Sequence, residues 1–192
     1  MKRLVLSTLI IAFVILIAGC EKDNFKAPDS YLTGTVVYNG NPVGVRSNGT
    51  QLELWQYGYK LRSKIAVYIA QDGTFSARLF DGDYKLVRLA GGPWASQTDS
   101  IDVTVKGNTT VDVPVTPYFI ITNVTITNNA GVITSTCTVT KVGTLNISSL
   151  TLYVGVTNLV DANNNAQTNV ISSSGLTDLS TPKTNTVTLT NV

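Results

Sequence analysis

Short segments with alternating apolar and polar residues, separated by turn sequences, recur along most of this chain. Ser100–Lys106 is the clearest case, with three β-branched residues at every second position, which is the period of a strand with one buried face. Asp72-Gly73 and Asp81-Gly82 lie between such segments and predict β-hairpins, because Gly adopts positive φ at little cost. No segment has a helical period. The pattern predicts an all-β fold, as a sandwich or a barrel.

The predicted strands fall into two groups, on either side of a proline-containing junction near Thr116. The first group is Tyr31–Tyr38, Gln51–Gln56, Ile65–Ala70, Thr74–Leu79, Asp83–Leu89, Ser100–Lys106 and Thr109–Val115. The second is Tyr118–Thr127, Val132–Lys141, Ser149–Val156 and Thr186–Thr190, with room for one short strand in the polar loop 161–174. We therefore predict two domains, at 31–116 and 117–192. The second has four or five strands where an immunoglobulin-like sandwich needs seven, so we expect it to be truncated.

The first twenty residues have the order of a bacterial signal peptide. Lys2 and Arg3 precede an apolar run, Leu4–Ile17, which is short for a membrane span of about 20 residues. The small residues before Cys20 complete a sequence that resembles the lipobox of bacterial lipoproteins. That resemblance implies that 1–20 is a lipoprotein signal peptide and that Cys20 is diacylated and becomes the new N-terminus. An ordinary cleaved signal and an uncleaved membrane helix are the alternatives.

Residues 21–30 are polar and aperiodic, which predicts a flexible tether. Their opening, Glu21-Lys22-Asp23-Asn24, resembles the signal that follows the lipidated cysteine in surface-exposed Bacteroidetes lipoproteins. A generic solvated linker is the alternative.

Composition excludes several classes of function. The chain contains no His, which removes Ser-His-Asp and Cys-His catalysis and His-ligated zinc. Removing Lys2 and Arg3 from the fourteen basic residues leaves twelve, equal to the twelve acidic residues, so no basic surface for nucleic acid is expected. With Cys20 lipidated, Cys137 has no disulfide partner, and its place in an alternating segment predicts that it is buried in the core.

Aromatic residues are the best candidates for ligand contacts. Trp55, Tyr57 and Tyr59 lie within five positions, and Trp94 follows Gly91-Gly92-Pro93 in a loop-like context. Aromatic rings stack on the C–H faces of sugars, so exposed rings of this kind are candidate glycan platforms. The alternative is that the rings cover an edge of the sandwich or fill the seam between the domains.

Acidic residues give little support for catalysis or for a metal site. Asp72, Asp81 and Asp83 could approach one another, as the carboxylates of a glycosidase do, but Asp also stabilises tight turns. The loop that begins at Asp161 loosely resembles a calcium loop, but Ala166 replaces its Gly and Ser172 its closing Glu. We therefore expect no enzyme activity, no metal and no cofactor.

Several motifs together carry a family resemblance. They are Gly34-Thr35-Val36, Asn41-Pro42-Val43, Asp72-Gly73-Thr74-Phe75 and Gly82-Asp83-Tyr84. In this order they resemble the carboxypeptidase-regulatory-like, or transthyretin-like, β-sandwich. The run Val113-Pro114-Val115-Thr116-Pro117-Tyr118, with the lipobox, resembles a Bacteroidetes outer-membrane lipoprotein family of unknown function.

That resemblance implies a second, immunoglobulin-like domain and association with SusC/SusD-type glycan-uptake systems. It implies a cell-surface lipoprotein of the outer membrane that binds glycan or assists its capture without catalysis. The alternative function is a structural or assembly spacer that binds a protein partner. The resemblance supplies no catalytic residues.

Overall fold

The computed structural model describes residues 26–46, 49–58 and 62–189. The predicted signal peptide with Cys20, residues 21–25 of the tether, and Tyr59 lie outside these residues. Within them the protein is all-β, as predicted, and its strands form packed sheets. The one helical segment described is a short 3-10 turn, Ser173–Leu176.

Nine strands form the N-terminal sandwich and five form the C-terminal unit. The first nine are β1 Ser30–Tyr38, β2 Asn41–Pro42, β3 Gln51–Gln56, β4 Lys64–Tyr68, β5 Thr74–Leu79, β6 Gly82–Arg88, β7 Ser100–Val105, β8 Asn108–Thr110 and β9 Val113–Pro114. The other five are β10 Phe119–Asn129, β11 Val132–Lys141, β12 Ser149–Val154, β13 Gln167–Ser172 and β14 Lys183–Thr188.

Strand β1 organises the first sheet because it pairs with four others. It runs antiparallel to β2 and β5 and parallel to β8 and β9. The predicted single strand 109–115 is therefore wrong, since it divides into β8 and β9. The division lies at Val111, whose N–H donates to the Thr33 carbonyl and whose own carbonyl packs against Gly34.

The second sheet is antiparallel and has the order β4-β3-β6-β7. Of the two predicted Asp-Gly hairpins, the first forms only as a short turn. Gly73 N–H donates to the Ala70 carbonyl, Ala70 N–H donates to the Thr74 carbonyl, and Ile69 bridges to Phe75. Beyond this turn β4 and β5 lie in different sheets. The second predicted hairpin is wrong, because the chain passes there from β5 in the first sheet to β6 in the second. The backbone conformation and the close packing of the first Asp-Gly turn both require glycine at position 73. Its φ is +87°, and a Cβ there would lie 2.7 Å from the Val43 carbonyl oxygen.

The core of the N-terminal sandwich lies between these two sheets. Its fully buried side chains alternate along the strands with exposed ones, and they include Leu32, Val36, Leu52, Leu54, Ile69, Leu86, Trp94, Val105 and Val113. Each such apolar side chain contributes about 1.5–3 kcal/mol on burial. Because this core packs against one side of the second sheet, the opposite side of that sheet faces outward.

The C-terminal unit has a three-stranded sheet, β10-β11-β14, and a separate hairpin, β12-β13, that packs against β14. Its core is small. Cys137, Val139 and Val187 are buried on the side that faces the hairpin, and Leu176 is buried beside them. The predicted burial of Cys137 is thus confirmed, and burial raises the pKa of its thiol. Strand β10 remains largely uncovered.

The close packing of β1 gives a test of the first sheet. We expect Gly34→Ala to destabilise the protein by about 3 kcal/mol, at the upper end for an overpacked site. An added Cβ would lie 1.8 Å from the Val111 carbonyl oxygen, and a backbone atom cannot rotate away. Urea unfolding measures the loss. Gly44→Ala is the control, because its nearest neighbour would lie at 3.2 Å. Equal stabilities for the two variants would contradict the described packing.

Candidate functional site

The outward face of the second sheet carries the residues that could contact a ligand. Leu52 and Leu54 of β3 point into the core, so the alternation places Glu53 and Trp55 on the opposite face. Cross-strand register then aligns Trp55 with Lys64 of β4 on one side and with Lys85 of β6 on the other. The aromatic ring is therefore flanked by two cationic side chains.

Trp55 is held in place by a hydrogen bond to its own strand. Its indole N–H donates to Glu53 Oε2 at 3.1 Å, and Lys64 Nζ lies 2.5 Å from Glu53 Oε1. The Glu53 side chain is nearly buried between them. Because the polar edge of the indole is already used, the half-exposed part of Trp55 offers a ligand only an apolar ring surface.

A shallow cavity of about 930 Å³ lies at the end of the same face. Its lining combines one exposed aromatic ring with hydrogen-bonding groups, namely Gln56, Tyr57, Asp83, Lys85, Asp102 and Thr104. Tyr57 is 55% exposed, and the Arg62 guanidinium lies 5.1 Å from the centre of its ring. One side of the Tyr57 ring is thus supported by a cation.

The polar groups of the cavity are already ordered by contacts with one another. Thr104 Oγ1 donates to Asp83 Oδ1 at 2.6 Å, and Lys85 forms an ion pair with Asp102. The hydrogen bond from Lys85 to Asp102 raises the pKa of Lys85, which therefore stays protonated at neutral pH. Together they present hydrogen-bond donors and acceptors, with one cation and two carboxylates, and Arg62 beside Tyr57 supplies a second cation.

The other aromatic candidates do not join this site. Tyr59 lies outside the described residues. The prediction that Trp94 is an exposed platform is wrong, because its ring is fully buried in the core of the N-terminal sandwich. Its surroundings agree better with the alternative, a position at the seam between the domains, because Trp94 forms a β-bridge with Pro117 of the linker.

The loop that contains Trp94 fastens the linker between the two domains. Ala95 N–H donates to the Thr116 carbonyl at 2.8 Å, and Tyr118 N–H donates to the Pro93 carbonyl at 3.0 Å. The Tyr118 carbonyl in turn accepts from the N–H groups of residues 142 and 143, in the C-terminal unit. A salt bridge of 2.8 Å between Arg46 and Asp161 adds a second connection between the domains. The junction is thus held by both backbone and side-chain contacts.

The aspartates considered as a catalytic pair mostly have turn roles. Asp72 Oδ1 accepts from the Thr74 N–H and hydroxyl, which closes the turn after β4. Asp81 Oδ1 accepts from Ser30 Oγ at 2.5 Å and from the Gly107 N–H at 2.9 Å. Asp83 differs from the other two, because it lines the cavity beside Tyr57.

The loop at Asp161 has the geometry of a turn. Asp161 Oδ1 accepts from the N–H groups of Asn163 and Asn164, while Oδ2 accepts from Arg46. These contacts lower the pKa of Asp161, with the Arg46 hydrogen bond as the largest cause. Throughout the described part of the chain, no cluster of three or more Cys, Asp or Glu residues could hold a metal ion.

Sequence reasoning found Trp55 and Tyr57 but missed the polar half of the site. The alternation in Ser100–Lys106 does place Asp102 and Thr104 on an outward face. The alternation does not give the register between β6 and β7, which brings Asp102 beside Lys85 and Thr104 beside Asp83. Arg62 was also missed, because no periodic pattern relates it to Tyr57.

Comparisons with known proteins place this chain in a family. The family model described as "Protein of unknown function (DUF3823) N-terminal domain" matches residues 30–116, and "Domain of unknown function (DUF3823_C)" matches residues 119–192. The chain belongs to the DUF3823 family. No curated protein matches it.

Solved structures of the DUF3823 family have the same fold. A Bacteroides ovatus member is 39% identical with a TM-score of 0.78, covering 84% of this chain and 83% of that chain. A Parabacteroides merdae member is 32% identical with a TM-score of 0.77, covering 86% and 83%. A Bacteroides uniformis structure described as a "putative carbohydrate binding protein" is 18% identical with a TM-score of 0.67, covering 84% and 80%, and shows likeness of fold alone.

The part of the chain that the structure describes contains no helix of the length and apolarity needed to cross a bilayer.

The contacts of Asp81 predict a dependence of stability on pH. The Ser30 hydrogen bond, followed by that of the Gly107 N–H, lowers the pKa of Asp81 from its ordinary value of 3.8. The unfolded chain therefore binds the proton more readily, and the stabilisation is present above pH 3.8 and lost as the pH falls through the folded-state pKa.

We expect Asp81→Asn to be less stable than the unmodified protein near neutral pH, with the difference shrinking as the pH falls below about 4. Thermal unfolding at a series of pH values measures it. Asp112→Asn is the control, since Asp112 is exposed and is not among the residues that hydrogen-bond through their carboxylates. A pH-independent difference for Asp81→Asn would contradict the assignment.

Proposed function

We propose that this protein is a lipid-anchored protein of the bacterial outer membrane that binds neutral glycan at the cell surface, without catalysis. The observation that supports binding is the Tyr57 cavity on the outward face of the second sheet. An exposed ring there stands beside ordered donors and acceptors on a rigid sheet.

The chemistry of the cavity suits a sugar. A pyranose ring has a C–H face that packs on an aromatic ring and an edge of hydroxyl groups that need hydrogen-bond partners. Tyr57 offers the ring, supported from one side by Arg62. Asp83 and Asp102 can accept from sugar hydroxyls, and Lys85 can donate to them. Trp55 lies two residues before Tyr57 in the chain and offers an aromatic surface for a second sugar unit.

The balance of charge favours neutral glycans over acidic ones. The carboxylates of Asp83 and Asp102 face the cavity and are offset by Lys85 and Arg62. A polyuronate would gain from the two cations and lose similarly to the two carboxylates. Acidic polysaccharide should therefore bind no more tightly than neutral polysaccharide, and its binding should not weaken steeply as the salt concentration rises.

A shallow site of this kind binds each sugar weakly, which a membrane anchor offsets. Many copies held on one surface by lipid at Cys20 act together on a single polysaccharide, and avidity then exceeds the affinity of one site. This arrangement fits capture of glycan beside a SusC/SusD-like transporter, which is the partner that the family resemblance implies. The Bacteroides uniformis structure described as a "putative carbohydrate binding protein" supports the proposal by likeness of fold.

Affinity electrophoresis tests glycan binding directly. The chain from residue 21 onward, which contains every described strand, is run through gels containing xylan, mannan, β-glucan or polygalacturonate. We expect a neutral polysaccharide to retard it, and we expect Tyr57→Ala to weaken binding by about tenfold, or ~1.4 kcal/mol.

Tyr31→Ala is the matched control. Tyr31 is also exposed and also lies against an arginine, Arg78, with the guanidinium 5.9 Å from the ring, but it belongs to the other sheet. Retardation that both variants lose equally, or that neither loses, would remove the Tyr57 cavity as the site. Failure of every polysaccharide to retard the protein would refute glycan binding.

The anchor requires a separate test in a Bacteroidetes host. We expect Cys20→Ser to release the protein from the outer-membrane fraction and to abolish its labelling by a fatty-acid analogue. Cys137→Ser, which changes a buried thiol, is the control and should leave both unchanged. A Cys20→Ser protein that remains in the membrane fraction would count against lipid anchoring.

A spacer role is the second candidate, and the junction between the domains favours it. The backbone hydrogen bonds of Ala95 with Thr116 and of Tyr118 with Pro93, together with the Arg46–Asp161 salt bridge, connect the two domains. These connections suit the domains for holding a partner at a fixed distance. This role predicts co-purification with a membrane protein and no response to sugar. The electrophoresis above therefore separates the two candidates.

A further inference from the structure

Strand β10 has an edge that the rest of the described chain leaves unpaired. It lies at the end of the sheet β10-β11-β14, so its outer N–H and C=O groups have no neighbouring strand among the described residues. It is also the longest strand, with eleven residues. Every side chain from 121 to 129 is exposed, including Ile121, Val124 and Ile126, which are 52%, 54% and 63% exposed.

This edge lacks most of the features that usually protect edge strands. Proteins discourage edge-to-edge pairing with charged residues, prolines, bulges or short strands. Strand β10 has one bulge, between Thr122 and Thr125, and is regular from Thr125 to Asn129. The sequence of β10, FIITNVTITNN, contains no charge and no proline. By contrast, charged residues lie on three other strands at sheet ends, Lys64 of β4, Asp102 of β7 and Lys183 of β14. The edge of β10 is therefore open to another strand that is itself uncharged.

We propose that this edge pairs with β10 of a second copy of the chain, antiparallel and about a two-fold axis at Ile126. The pairing would use residues 123–129, of which 123 and 124 lie in the bulge, since the first half of β10 lies beside the β1–β2 turn across a groove. A two-fold interface places the same surface on both sides, so it must be self-complementary. Because β10 has no charge, pairing with itself brings no like charges together.

The side chains also match themselves in this register. Ile126 would face the partner's Ile126 on the apolar side of the sheet. On the other side, Thr125 would face the partner's Thr127. Within one copy, Thr125 already aligns with Thr136 and Thr184, and Thr127 with Thr134 and Thr186. The pairing would join these rows into two rows of six threonines across a six-stranded sheet.

The threonine rows are ordered within each copy. Thr134 and Thr186 hydroxyls lie 3.3 Å apart, and those of Thr136 and Thr184 lie 3.2 Å apart. Cross-strand Thr pairs of this kind stabilise a sheet. Extending the rows repeats an interaction that the sheet already uses, which favours this occupant over a strand of unrelated sequence.

The contact is small, which sets its expected strength. One seven-residue edge buries less than a standard interface of about 1,600 Å², so the dimer should be weak in solution. Copies confined to a membrane surface reach a much higher effective concentration, and there the pairing would be populated.

Sedimentation velocity on the chain from residue 21 onward, from micromolar to near-millimolar concentration, tests the proposal. We expect a concentration-dependent shift from monomer to dimer. Ile126→Lys and Ile126→Glu should each lose the dimer, because like charges would meet on the two-fold axis. An equimolar mixture of the two variants should restore it as a heterodimer. Val170→Lys is the control, because Val170 is similarly exposed on β13 and should leave the dimer unchanged.

The mixture also guards against misfolding, since variants that fail to fold would not recover on mixing, and circular dichroism checks each one. For folded variants, failure of the mixture to restore the dimer would overturn the pairing at Ile126. A dimer that survives Ile126→Lys would place the contact on another surface and overturn the proposal. A wild-type chain that remains monomeric at every concentration would assign the edge to a different partner and would equally overturn it.

Discussion

The N-terminal sandwich depends on how closely the backbone of β1 is packed. This strand pairs with β2, β5, β8 and β9, and at Gly34 there is no room for a side chain against the Val111 carbonyl. The same strand supplies Leu32 and Val36 to the core, against which the second sheet rests. The position of the outward face, with Trp55 and Tyr57, therefore follows from contacts made on the opposite side of the sandwich. A rigid face of this kind loses little entropy when it binds a ligand.

The two domains of this DUF3823 protein differ in how completely they bury their apolar surface. The N-terminal core closes between two sheets around Trp94. In the C-terminal unit, the β12-β13 hairpin packs against β14, while Ile121 and Ile126 of β10 stay exposed. The proposed ligand site therefore lies on the N-terminal domain, and the proposed contact with a second copy lies on the C-terminal domain. Backbone hydrogen bonds at Thr116 and Tyr118 join the two.

Local pattern predicted strands well because alternation and turn residues act over short distances. Gln51–Gln56, Thr74–Leu79 and Val132–Lys141 begin and end as predicted. Pairing between strands could not be predicted in the same way. The Asp-Gly turns specify a change of direction, and only the tertiary core decides that the chain changes sheet there. The burial of Trp94 likewise depends on Pro117, far along the sequence. The cavity at Tyr57 needs the register of three strands, which no single segment encodes.

Binding of neutral glycan at the outward face around Tyr57 can be observed directly by amide chemical-shift mapping. A neutral oligosaccharide, drawn from the polysaccharide that retards the protein, is titrated into labelled protein from residue 21 onward. We expect saturable shifts confined to the amides of Tyr57, Asp83, Lys85 and Thr104 and their neighbours. Shifts centred on another surface, or no shift with any neutral oligosaccharide tested, would contradict it.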